Sequence, residues 1–183
     1  MDDDGNVIAR FAKEQRAVVK IANVPDLVKN AFISAEDKNF YDHRGVDPVG
    51  IAKAMVRNVQ VLLGGGRRFG GASTITQQVV KNTIGGDERK LSRKIKEAIL
   101  AVRIEEALTK DQILEIYLNE IYLGARSYGV AAASQSYFGK PLQYLEPEEA
   151  AYLAALPKAP SALHPIRNKD AAVARRNYVL HEM

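Results

Sequence analysis

Apolar residues along this chain fall mainly three and four positions apart, the spacing of one helix face. Leu27, Ala31, Phe32 and Ala35 follow Pro25 in this pattern, which predicts a helix that opens at the proline and carries Glu36 at its carboxyl end. Asp47 and Pro48 supply an N-cap and a first turn for a second helix, with Val49, Ala52, Val56, Val59 and Leu63 as its apolar stripe. Lys53 and Arg57 lie off that stripe. The run GGGRRFGG from Gly64 to Gly71 ends the helix, because glycine loses more backbone freedom on ordering than any other residue. Thr74 and Gln77 then have capping-box spacing for a short helix, with Gln77, Gln78, Lys81 and Asn82 in its first two turns.

A longer helix is predicted from about Asp87 to Leu108, with Leu91, Ile95, Ala98 and Val102 facing the core and Arg89, Arg93 and Glu97 on a different face. Thr109 and Gln112 form a second capping box, for a helix through Ile113, Leu114, Tyr117, Leu118 and Ile121 that closes at Gly124. Three more helices are expected, over about 127–138, 146–156 and 168–182. Residues 1–22 are polar, with short alternations at Val7, Ile8 and Phe11 and at Val18, Val19 and Ile21, and read as an extended lead-in or a strand or two. The domain proper is placed at 23–183. No strand-helix alternation that would build a parallel sheet is present, so the fold is expected to be mainly α.

Composition narrows the class. With 183 residues, 46% of them hydrophobic, the chain can bury the core of one compact domain, which excludes a disordered tail. No run reaches the roughly 18 apolar residues of a membrane span. The absence of cysteine removes disulfides, thiolate metal sites and cysteine nucleophiles, and His43, His164 and His181 are too far apart for a zinc spacing. A net charge of +4 suits an anionic partner, whether phosphate, nucleic acid or an acidic membrane surface, and equally suits a solvated surface with a modest excess of lysine. The abrupt ends, Met-Asp-Asp-Asp and a stop inside a helical pattern, read as those of a piece of a longer protein.

Three polar blocks have no use in packing. They are EDKNFYDHRG (Glu36 to Gly45), GASTITQQVVKN (Gly71 to Asn82) and RKIKE (Arg93 to Glu97). Glu36, at a helix end and beside Phe40 and Tyr41, is set for a raised pKa and a role as general base, with Asp37 and His43 as groups that could orient it. The plain alternative is a capping acid with a structural histidine. Ser73, Thr74, Gln77, Gln78, Lys81 and Asn82 place hydroxyls, amides and a cation at a helix start, a setting suited to phosphate or sugar, against the plain reading of a capped and solvated helix. Arg89, Arg93 and Lys94 could clamp a pyrophosphate, or simply form a solvated basic face.

With KDQILEIYLNEIYLG (Lys110 to Gly124) and LAALPKAPSALHP (Leu153 to Pro165), these blocks stand in one order that resembles the family-51 peptidoglycan glycosyltransferases, the polymerase domains of class A penicillin-binding proteins. The resemblance implies a lysozyme-like fold, with a larger helical lobe and a smaller jaw lobe facing the membrane. It implies polymerisation of lipid II into β-1,4 glycan strands with release of undecaprenyl pyrophosphate, by inverting displacement. Glu36 is then the base that takes the proton of the acceptor 4-hydroxyl, and Glu97 is a second catalytic carboxylate that positions the donor or a metal or shapes the pocket. Asp37, Lys53, Ser73, Thr74, Gln77, Gln78, Lys81, Asn82, Arg89, Arg93, Lys94 and Asn119 are the expected substrate-binding residues. No cofactor is required, though a divalent cation such as Mg or Mn can be accommodated at the pyrophosphate. Lys53 departs from the arginine usual in the family, which keeps the charge but loses the planar fork.

The resemblance also implies work at the outer face of the bacterial inner membrane, with lipid II, the growing glycan, the membrane surface and cell-wall synthesis proteins as partners and no nucleic acid. A transmembrane anchor before the domain and a transpeptidase domain after it are expected of the full protein and absent from this piece. No Ser-x-x-Lys occurs, so β-lactam acylation is not expected. Val59, Val61, Leu62, Leu63 and Phe69, with Arg67 and Arg68, form either an element that dips into the headgroup boundary or a helix end packed in the core. A glycan-cleaving lysozyme-like enzyme and a non-catalytic lipid-pyrophosphate binding module are the competing readings.

Overall fold

The computed structural model describes residues 15–63, 73–83 and 90–183. Its helices are α1 (Asp26–Glu36), α2 (Pro48–Leu63), α3 (Ile75–Thr83), α4 (Lys90–Ala107), α5 (Lys110–Glu120), α6 (Val130–Phe138), α7 (Pro147–Ala155) and α8 (Lys169–Glu182). The fold is mainly α, as expected. Val7, Ile8 and Phe11, the glycine run with Arg67, Arg68 and Phe69, and Arg89 lie outside the described residues, as do the side chains of Leu62, Leu63 and Leu91.

Helix α7 is the centre of the fold. Ala150 through Leu156 are buried without interruption, a sequence apolar on every side, and its alanines let α1 and α8 approach closely. Glu146 and Glu149 close a capping box at its start, with Pro147 in the first turn. Around it the core collects Val28, Ala31 and Phe32 of α1, Ile75 and Val79 of α3, and Ile113, Leu114, Tyr117 and Leu118 of α5. Helix α3 packs between α5 and α4, which brings the polar block that begins at Ser73 against the carboxyl end of α1.

The lead-in contributes one short strand, β1 (Gln15–Arg16), paired in parallel with β2 (Ser127–Tyr128). This pairing corrects the expected helix start at 127. Gly129, at φ +80°, turns the chain, and its N–H donates to the Ile121 carbonyl, so α6 starts only at Val130. Helix α5 likewise ends at Glu120, not at Gly124, because Ile121 is already extended.

Two predicted stripes face the other way. On α4, Ile95 and Val102 are 55% and 39% exposed, while Glu97 and Ala101 are buried at 1% and 0%. The inward face carries Glu97, Ala101 and Glu105, with Ile104 and Leu108 partly buried against the core, so polar and apolar side chains of α4 share it. On α2, Val49, Met55, Val56 and Val59 are each more than half exposed. Among the described residues no other helix packs on α2 to any extent, so it stands off the helical body.

Gly45 sets the path of the loop that follows α1. It has φ +86°, a Cβ there would meet the Ala101 backbone at 2.6 Å, and its carbonyl accepts a 2.6 Å hydrogen bond from the Thr74 hydroxyl. Gly45→Ala is expected to cost roughly 3 kcal/mol or more, from left-handed strain together with a backbone collision that no rotamer relieves. Urea unfolding followed by circular dichroism measures the loss, and a cost below about 1 kcal/mol contradicts this close approach.

Candidate active site

Glu36 is the last residue of α1, and its half-buried carboxylate accepts a 2.8 Å hydrogen bond from the Gln78 side-chain amide in α3. Burial pushes its pKa up. The Gln78 bond opposes that shift, as do the positive charges of Arg175 and Lys158. The group is therefore poised between two demands, with burial favouring the neutral acid and nearby cations favouring the carboxylate that a base requires.

Asp37, the next residue, is buried and serves α3. Its carboxylate accepts from the Ile75 N–H at 2.9 Å, at the helix's amino end, and its two oxygens lie 2.9 and 3.0 Å from His43 Nε2. Burial raises its pKa as well, opposed by these two contacts. His43 in turn stands 3.9 Å from Glu105, which accepts from the Thr76 hydroxyl at 2.6 Å and pairs with Lys110 at 2.7 Å. Asp37 and His43 bond each other and the start of α3, and Asp37 acts on Glu36 only through its charge.

Thr74 and Gln77 make the expected capping box, with Gln77 N–H donating to the Thr74 hydroxyl and Thr74 N–H to the Gln77 side-chain Oε1. Both side chains are buried and engaged by the helix start. Gln78 is the amide that reaches Glu36. Lys81 and Asn82 are exposed further along α3.

A second cluster surrounds Glu97. Its buried carboxylate lies 2.8 Å from Lys94 Nζ and 3.4 Å from Arg93 Nε, and Lys94 also donates to the Ser73 hydroxyl at 2.9 Å. A carboxylate held between two cations fixes their positions as much as they fix its own. Lys53 lines an open pocket of about 640 Å³ with Asn39, Asp42, His43 and Arg44. Asn119 is not brought to these clusters. Its amide holds the backbone of Val19 at 2.8 and 2.9 Å and so fastens the lead-in to α5.

Three groups near Glu36 were not singled out from the sequence. Lys158 lies in the LPKAPSALHP block, and Arg175 in a polar stretch of α8 without motif character. Tyr117 is read as core by its spacing, and its ring does pack edge-on to Phe32 at 6.2 Å. Its hydroxyl, however, is buried without a hydrogen-bond partner, and burial together with the charges of Glu36 and Asp37 holds its pKa well above the usual phenol value. Among the described residues no group of three His, Asp or Glu side chains converges as a metal cage, and the oxygens of Glu97 face cations. These side chains do not fit a divalent ion by themselves.

The family model for Transglycosylase matches residues 4–183. The chain belongs to that family. It is 52% identical over 180 residues to penicillin-binding protein 1A of Escherichia coli (strain K12), covering 98% of this chain and 21% of that protein. It is 51% identical to penicillin-binding protein 1A of Neisseria flavescens, with 98% and 22% covered. The crystal structure of penicillin-binding protein 1A from Haemophilus influenzae superimposes with a TM-score of 0.53 at 30% identity, covering 98% of this chain and 17% of that one. The chain thus spans about a fifth of the length of the relatives it matches.

The direction of the Glu36 shift sets a stability prediction. A carboxyl whose folded pKa lies above its unfolded value of 4.5 favours the fold below that value, and the contribution is lost as pH rises through the folded pKa. Glu36→Gln removes the buried charge and is expected to melt higher than wild type at neutral pH, with the gap closing on acidification towards pH 4.5. Melting curves across that range check it. A variant less stable than wild type at neutral pH contradicts the burial of this charge.

Proposed function

We propose that this domain is a peptidoglycan glycosyltransferase that polymerises lipid II into β-1,4-linked glycan. The observation that carries this reading is the pairing of a desolvated base, Glu36 on Gln78, with a separate cationic cluster of Arg93 and Lys94 organised by Glu97. Glu36 takes the proton from the 4-hydroxyl of the acceptor sugar. The oxygen attacks the anomeric carbon of the donor, the bond to the pyrophosphate breaks, and its electron pair leaves on a phosphate oxygen. One displacement inverts the carbon and needs no sugar-enzyme intermediate.

The departing pyrophosphate gains negative charge in the transition state, and Lys81, Arg93 and Lys94 are the described cations suited to meet it, with Ser73 and Asn82 as neutral donors. Lys53 and the pocket it lines are assigned to substrate on the same ground of charge. Arg89 belongs to this set by sequence and lies outside the described residues. Lys158 and Arg175 have a different task. Their charges oppose the upward shift that burial gives Glu36.

A glycan-cleaving enzyme would use a protonated Glu36 as an acid, and its raised pKa suits that chemistry too. The cationic cluster favours the polymerase, since departure of a sugar hydroxyl needs no such clamp. Labelled lipid II separates the two. Polymer from wild type and none from Glu36→Gln is the expected outcome, whereas shortening of preformed glycan without any polymer overturns the reading. Lys81→Ala is expected to weaken a lipid-linked pyrophosphate analogue by about tenfold, corresponding to loss of one charge-assisted contact of roughly 1.5 kcal/mol.

The same reading places the domain at the outer face of the bacterial inner membrane. Among the described residues no helix is long and apolar enough to cross a membrane. The exposed Val49, Met55, Val56 and Val59 of α2 suit shallow contact with a lipid surface, where an apolar face meets acyl chains. Met55→Ser with Val59→Ser is expected to reduce binding to vesicles containing anionic lipid by severalfold without lowering the melting temperature. Unchanged binding with a lower melting temperature would return these side chains to the core.

A further inference from the structure

The charges buried behind the Glu36–Gln78 pair do not balance if His43 is neutral. Asp37 and Glu105 are carboxylates with side chains only 3% and 5% exposed, and the His43 ring between them is 5% exposed. Lys110 answers one of the two, pairing with Glu105 at 2.7 Å while its ammonium also donates to the His43 carbonyl at 2.7 Å and lies over the Phe40 ring. The other negative charge is left to the hydrogen bonds of Ile75 and His43. An uncompensated charge in so dry a place is costly.

The ring geometry points the same way. Nε2 lies within 3.0 Å of both Asp37 oxygens, and a carboxylate only accepts, so Nε2 carries a proton. Nδ1 is buried without a hydrogen-bond partner, and the atom it faces is a Glu105 oxygen at 3.9 Å. A neutral ring would aim a lone pair at that carboxylate. A second proton turns the repulsion into attraction. The charged groups facing the ring are Asp37 from its own loop, Asp47 ahead of α2, Glu105 of α4 and Lys110 of α5, while the first turn of α3 presents only the Ile75 N–H and the Thr76 hydroxyl.

We propose that Glu105 is a positioning residue that acts through His43: Asp37 and Glu105 together hold the imidazole doubly protonated, and this cation keeps Asp37 ionised as the cap of α3. Helix α3 is then gripped at Ile75 by Asp37 and at Thr76 by Glu105, and so presents Gln78 to Glu36 at 2.8 Å. The consequence for catalysis rests on the polymerase reading. The charge state of His43 does not.

Long-range proton–nitrogen spectra of the isotope-labelled chain, with the three histidines assigned by substitution, test both parts. Both ring nitrogens of His43 are expected to carry protons at neutral pH. In Glu105→Gln the ring is expected to become neutral with Nδ1 bare, and the kcat for lipid II polymerisation to fall about tenfold to a hundredfold while KM stays within about twofold. A bare Nδ1 in the wild type overturns the proposal by itself, so the test stands even if the variant does not fold. A variant with a neutral ring and wild-type kcat also overturns it, as does a loss of activity that only tracks the loss of folded protein. Wild type that makes no polymer counts against the polymerase reading instead, and the spectra still decide the state of His43.

Discussion

A carboxylate buried at the amino end of a short helix is the contact on which this site depends. Asp37 follows Glu36 directly, and the two neighbours engage α3 one turn apart, Asp37 at the Ile75 N–H and Glu36 at the Gln78 amide. The docking of α1 on α3 is thereby fixed at two points, and Glu36 cannot move without disturbing the cap. A charge-assisted bond of this kind is worth roughly 1.5 to 3 kcal/mol, and leaving such a group unpaired in the interior costs at least as much. Gly45 makes the arrangement possible, since only a residue without a side chain lets the returning loop lie against the Ala101 backbone and reach Thr74.

Around that contact the electrostatics pull in opposite directions. Burial raises the pKa of both Glu36 and Asp37, and each is answered by partners from elsewhere in the sequence: Gln78, Arg175 and Lys158 for the first, Ile75 and His43 for the second. A base needs this tension. A fully solvated glutamate is too weak a base to take a sugar hydroxyl's proton, and a fully desolvated one would hold its own proton at neutral pH. Tyr117 adds to the desolvation from α5 and offers no hydrogen bond in return.

The helices were legible in the sequence wherever a cap or a proline marked them, as at Pro25, Asp47, Thr74 and Thr109. The block that carries Glu36 stood out in the sequence because so polar a run has no role in packing. The roles of Thr74 and Gln77 were not separable, because a capping box and a ligand site draw on the same hydroxyl and amide chemistry, and only the partner decides. Asn119 reads as a polar residue in a site motif, yet its partner lies a hundred residues earlier at Val19. Lys158 and Arg175 were missed for the reverse reason. They reach Glu36 by packing of the chain's last segments on α1, which no local pattern encodes.

The reversal of α4 shows how chemistry overrides periodicity. Its sequence offers a conventional apolar stripe at Ile95 and Val102, and burying that stripe would have been the cheaper choice for folding alone. Turning Glu97 inward instead places Arg93 and Lys94 on either side of a buried carboxylate and beside Ser73 at the start of the α3 block. The helix can accept this because Ala101, small and apolar, shares the buried face and lets the Gly45 loop close over it. The exposed Ile95, Ile99 and Val102 are then the cost of the cationic cluster. An apolar residue at 97 would keep the same face inward, since Ala101, Ile104 and Leu108 lie on it and Glu105 still bonds Thr76, but Arg93 and Lys94 would lose the carboxylate that orders them.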